Sequence, residues 1–97
     1  MDNNIFDIGK FVNVETEQSV SSNLVKRFKM RRKEIRLSQQ ELAKRSGVSY
    51  SSIKRFEQTG DVSFSSLLKI AGAIDCLEDF NKVFTTPKVL NLKDLRK

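Results

Sequence analysis

The stretch Gln39–Gln58, QQELAKRSGVSYSSIKRFEQ, decides how this chain folds. Ser38 stands just before it and Glu41 three residues after that serine. In a capping box the serine hydroxyl and the glutamate carboxylate each take a free backbone N–H, so a helix is expected to open here. It ends near Arg45 or Ser46, because Gly47 enters the left-handed region without steric cost. Ser49 caps a second helix that runs to about Gln58 and stops before Gly60. Ala43 is small enough to let the two helices approach, and Leu42, Val48, Ile53 and Phe56 are the apolar residues that point into their junction. A small residue, a glycine four on and a β-branched residue six further is the spacing of a helix-turn-helix.

Helical patterning continues on both sides. Upstream, Ser21 or Ser22 is the expected cap of a helix to about Ile35, with Leu24, Phe28 and Ile35 on one stripe. Downstream, Ser63 caps a fourth helix, Phe64 to about Ile74, whose apolar positions are Leu67, Leu68, Ile70, Ala71 and Ile74. A fifth short helix, roughly Leu77–Phe84, presents Leu77, Phe80 and Phe84 on one side, and Thr85-Thr86-Pro87 stops it. Phe64, Phe80 and Phe84 read as core, and Cys76 as a small buried filler. The ends read differently. Residues 5–14, IFDIGKFVNV, place Phe6, Ile8, Val12 and Val14 on a period-2 face, a short strand or extended arm that needs a partner. Residues 15–19 read as a polar linker, and residues 88–97, KVLNLKDLRK, as an extended tail. The expected organisation is an N-terminal arm over 1–19, an all-α domain of five helices over 20–84 and a C-terminal tail over 85–97.

Length and composition narrow what such a domain does. Ninety-seven residues leave room for one modest core. The chain has no His, the commonest general acid/base and metal ligand, and it carries no nucleophile elbow or P-loop, so neither an enzyme nor a cofactor is expected. A single cysteine makes no internal disulfide or Cys-rich metal site, which reads as a cytoplasmic protein. No apolar run approaches the roughly 18 residues of a membrane span, and the N-terminus does not read as a signal peptide. The net charge is +6, unevenly placed: residues 20–60 hold eleven basic and three acidic side chains, a net of +8, against −3 over 1–19 and +1 over 61–97. Basic charge concentrated in this way points to a polyanionic partner, with nucleic acid ahead of an anionic membrane.

The run Leu37-Ser38-Gln39-Gln40-Glu41-Leu42-Ala43-Lys44-Arg45-Ser46-Gly47-Val48-Ser49, followed by Ile53 and Phe56-Glu57, resembles the Cro/phage-repressor, or Xre, family of DNA-binding domains. The Ser-Gln, Glu-Leu-Ala, Gly-Val-Ser and aromatic-Glu elements all stand in register, and the resemblance covers about residues 22–75. It implies a five-helix, lambda-repressor-like fold whose third helix enters the DNA major groove. Two positions depart from the pattern. Arg36 stands where the family often has glycine, and Gln58 and Thr59 stand between Glu57 and Gly60 where one residue is common.

The residues of the third helix sort by face. With Ile53 pointing inward and a step of about 100° per residue, Ser51, Arg55 and Gln58 point outward, Lys54 lies on the flank and Tyr50 sits at the N-terminal end. Tyr50, Ser51 and Arg55 are the expected base-contacting residues, with Arg55 suited to bidentate pairing with guanine. Gln39, at a helix N-terminus where free N–H groups favour phosphate, is expected to contact the DNA backbone, as its family counterpart does. Lys44, Lys54 and Ser49 join it as phosphate-contacting candidates. Glu57 lies only about 40° from Ile53 on the helix wheel and needs an inward partner; family position gives it Arg32, a structural salt bridge. These expectations describe a repressor that binds double-stranded DNA as a homodimer, since one short helix reads too few base pairs. Because small Xre-like proteins often serve as antitoxins, the alternative is a module that binds a partner toxin and regulates its own operon.

Overall fold

Thr16 starts the first helix. Its hydroxyl accepts the Ser19 N–H at 3.0 Å and the Ser19 hydroxyl accepts the Thr16 N–H at 3.0 Å, a capping box closed by serine. Helix α1 therefore spans Glu17–Glu34 in the computed structural model, which describes residues 14–89. The start at Ser21 or Ser22 is overturned, and residues that read as a linker form the first turn. The buried stripe is also shifted. Val25, Phe28 and Arg32 face the core, Leu24 is half-buried at its edge and Ile35 is 47% exposed.

The helix closes in a Schellman motif, with the Leu37 N–H donated to the Arg32 carbonyl at 3.2 Å and the Arg36 N–H to the Lys33 carbonyl at 3.0 Å. This turn requires the left-handed region, and Arg36 adopts it with φ of 60°. The turn that glycine usually makes is thus kept with an arginine in it.

Helices α2 (Gln39–Ser46), α3 (Tyr50–Thr59) and α4 (Phe64–Ala73) follow, capped by Ser38, Ser49 and Ser63 as the sequence predicts. Gly47, with φ of 77°, ends α2. Gly60, with φ of 82°, ends α3, and a Cβ there would run into the Ser21 hydroxyl of α1. Helix α4 ends in a second Schellman motif: Cys76 N–H reaches the Ala71 carbonyl at 2.8 Å, Asp75 N–H the Gly72 carbonyl at 3.1 Å, and Asp75 takes φ of 63°.

The fifth element is a 3₁₀ helix, Leu77–Lys82, shorter than the expected Leu77–Phe84. The chain turns out beyond it, so Phe84 is fully exposed. Phe64, the first residue of α4, is 67% exposed and meets the half-buried Phe80 edge-on with ring centres 6.4 Å apart. The reading of Phe64 and Phe84 as core is therefore corrected: Phe64 meets Phe80 at the surface, outside the core cluster, and Phe84 lies past the end of the 3₁₀ helix. Cys76 is half-buried against the core, and burial pushes its thiol above the usual range.

The all-α core lies where the helices converge. Leu42, Ile53, Phe56 and Ile70 are fully buried. Phe28 of α1 meets Phe56 of α3 edge-on at 5.2 Å and fixes how these two helices approach, while the small Ala43 of α2 packs against the same core. Among the described residues there is no strand and no helix long and apolar enough to cross a membrane. The strand or arm expected over 5–14 lies outside the described residues except at Val14, which is exposed and irregular, and residues 90–97 of the expected tail also lie outside.

Candidate nucleic-acid interface

Helix α3 has two faces with no residue in common. Ile53, Phe56 and Glu57 are buried, while Tyr50, Ser51, Lys54, Arg55 and Gln58 are exposed. The apolar period and the Gly47 turn fix this rotation, since the inward residues must meet Leu42 and Phe28.

The inward carboxylate of Glu57 is held from two helices. Arg32 donates Nε–H to one oxygen at 2.7 Å and Nη2–H to the other at 2.8 Å, a bidentate pair whose side chains are only 9% and 2% exposed. Arg32 Nη1 also donates to the Leu37 carbonyl at 2.8 Å, at the loop between α1 and α2. Gln39, the first residue of α2, donates Nε2–H to Glu57 at 2.9 Å. The sequence joins Arg32 to Glu57; the structure adds Gln39 and Leu37, so four residues tie α1, α2 and α3 together. The Gln39 amide carries two N–H donors, and one remains beyond the bond to Glu57.

On the outer face the Lys54 ammonium lies 5.3 Å from the centre of the Tyr50 ring. Lys44 of α2 and Tyr50 line one shallow hollow with Ser38, Gln40 and Glu41. Ser49 is occupied as a cap: its hydroxyl accepts the Ser52 N–H at 3.1 Å and bonds the Ser52 hydroxyl at 2.8 Å, with Ser51 Oγ 3.3 Å away. The Ser38 N–H, 2.8 Å from the Glu41 carboxylate, together with the Ser38 hydroxyl, holds Glu41 below the usual carboxylate range. Arg55 Nη2 lies 2.7 Å from Asp61 Oδ2, just past Gly60.

A family model described as helix-turn-helix matches residues 28–80, more than half of the chain. The chain belongs to the Cro/C1-type helix-turn-helix family. Neither the curated proteins nor the solved structures give a match. This helix-turn-helix chain is a DNA-binding regulator, and its α2 and α3 form the bihelical unit.

Both departures from the family pattern are absorbed locally. Arg36 keeps the left-handed turn, as described above. Thr59 extends α3 by one residue, donates its hydroxyl to the Arg55 carbonyl at 2.7 Å and accepts the Asp61 N–H at 3.1 Å. Asp61 was not legible as a partner of Arg55. It follows at a spacing with no helical periodicity and comes round only because Gly60 reverses the chain.

Proposed function

We propose that this helix-turn-helix regulator is a cytoplasmic, sequence-specific repressor that binds its operator as a homodimer. Helix α3 lies in the major groove, Tyr50, Ser51 and Arg55 read base edges, and Gln39, Lys44, Lys54 and Ser49 contact phosphates. The observation that carries this reading is the division of α3. Its exposed face gathers an aromatic, a hydroxyl, a lysine and an arginine, while its other face is pinned to the core by Ile53, Phe56 and Glu57. Base edges in the major groove are read by such side chains on a helix whose orientation is fixed. Occupying an operator then blocks polymerase sterically, and two half-sites about one helical turn apart multiply the discrimination. The test is selection of bound duplexes from random DNA, with the size of the complex measured on the best site. A palindromic consensus held by two chains supports the reading, and no enrichment of any sequence overturns it.

A second reading is an antitoxin-type protein that holds a partner toxin and represses its own operon. It is supported by apolar side chains left exposed away from α3, among them Phe64, Leu77, Val83 and Phe84. Copurification with the product of a neighbouring gene is the outcome it expects.

A further inference from the structure

We propose that Asp61 is a specificity-determining residue that works through Arg55, an inference that rests on the placement of Arg55 against the bases. The Arg55 and Asp61 side chains are 69% and 60% exposed, and they meet at 2.7 Å on the face that α3 turns to solvent. The acid is placed by its backbone. Its N–H is bound by the Thr59 hydroxyl, that hydroxyl is bound to the Arg55 carbonyl, and Gly60 turns the chain back with its own N–H on the Phe56 carbonyl at 2.7 Å. The carboxylate and the guanidinium therefore ride on the same turn of α3, and the acid accompanies Arg55 wherever the helix docks.

A carboxylate on a surface that meets phosphates has two opposed effects. It cancels one positive charge, so binding to any duplex weakens and fewer counterions are released. It also restricts what Arg55 does next. An unpaired arginine beside a duplex satisfies itself on the nearest phosphate, which carries no sequence information. An arginine already paired gains less from a phosphate. Its guanidinium has five N–H donors in a rigid fork, however, so a guanine can still take two of them while Asp61 keeps another. Asp61 thus trades sequence-blind affinity for discrimination, and it holds the plane of the fork for guanine O6 and N7.

The experiment compares the full chain with Asp61→Asn, Asp61→Ala, Arg55→Ala and the Arg55→Ala/Asp61→Ala double variant. Each is titrated with the selected site and with a random-sequence duplex over a range of salt. The Asp61 N–H that anchors the turn survives in every variant, and unchanged melting confirms this. Both Asp61 variants are expected to bind random duplex several-fold more tightly, with a salt slope steeper by up to about 0.9, one phosphate contact. The ratio of selected to random affinity is expected to fall about fivefold or more, with preference lost at the position Arg55 reads. In the Arg55→Ala background the Asp61 change should leave that ratio alone. If Asp61→Asn strengthens both duplexes equally, the acid is a mere sequence-blind charge and the inference fails while the reading of α3 stands. If the wild type has a selected site but Arg55→Ala leaves its base preference intact, the base-contact assignment fails and this inference fails with it.

Discussion

Arg32 makes three hydrogen bonds, two that hold Glu57 of α3 and one to the Leu37 carbonyl in the loop between α1 and α2. Removing one partner of a buried pair strands the other charge, at a cost of about 3–5 kcal/mol. Against the total stability of about 5–10 kcal/mol expected of so small a domain, that is severe. Glu57→Ala is therefore expected to lower the melting temperature steeply, with DNA binding lost as a consequence of unfolding; thermal denaturation followed by circular dichroism checks it, and unchanged melting refutes it. Arg36 gives the opposite sign. An L-residue in the left-handed region costs about 1–2 kcal/mol, part of which glycine returns as greater freedom of the unfolded chain. Since Arg36 sits at φ of 60°, Arg36→Gly is expected to stabilise by about 0.5–1 kcal/mol in urea denaturation.

At the scale of the element, the sequence is legible where punctuation is strong. Ser38, Ser49 and Ser63 mark three helix starts, and Gly47 and Gly60 two ends, because a cap or a left-handed turn is a local demand met by few residue types. The start of α1 was hidden, since Ser19 replaces the usual Glu or Gln of the box and Ser21 and Ser22 offer rival caps. Its core stripe was hidden too, because Arg32 interrupts the apolar period with a charge that is buried only through its distant partner Glu57. The outward face of α3 could be read from the helix wheel, whereas Asp61 depends on a chain reversal that no period encodes. The box on α2 carries a pH signature. Glu41 is held below its ordinary value of 4.5 by Ser38, so the folded state binds its proton more weakly than the unfolded state does. That contribution is fully present above about pH 5 and is lost as pH falls through the depressed value. Glu41→Gln is expected to flatten the fall in stability between pH 5 and pH 3, as measured by denaturation at each pH. Arg55→Ala on α3 is expected to cost about 1–3 kcal/mol on the selected site and relax one or two base positions, while Lys44→Ala on α2 weakens all duplexes alike. Competition assays on single-base variants of the site separate the two.

At the scale of the whole molecule, charge and core are arranged in the same stretch of chain. Residues 20–60 carry the net of +8 and also most of the buried residues, Val25, Phe28, Leu37, Leu42, Val48, Ile53 and Phe56 among them. Basic side chains therefore radiate from a rigid body, and each phosphate they neutralise releases counterions with a slope of roughly 0.9 in log–log salt dependence. A slope of several such contacts is expected for the wild type in fluorescence anisotropy, and a flat response would exclude the DNA face described here. The two separate faces of α3 have one more consequence. Tyr50, Ser51, Lys54 and Arg55 contribute nothing to the buried set, and exchanges at such surface positions usually change stability by no more than about 0.5 kcal/mol. If the exposed face reads the operator as proposed, the helix is a chassis with a detachable address label. On the proposed reading, a duplicated copy of this gene could acquire a new operator by rewriting the three base-contacting positions Tyr50, Ser51 and Arg55, and an engineer could do the same, without renegotiating the fold beneath them.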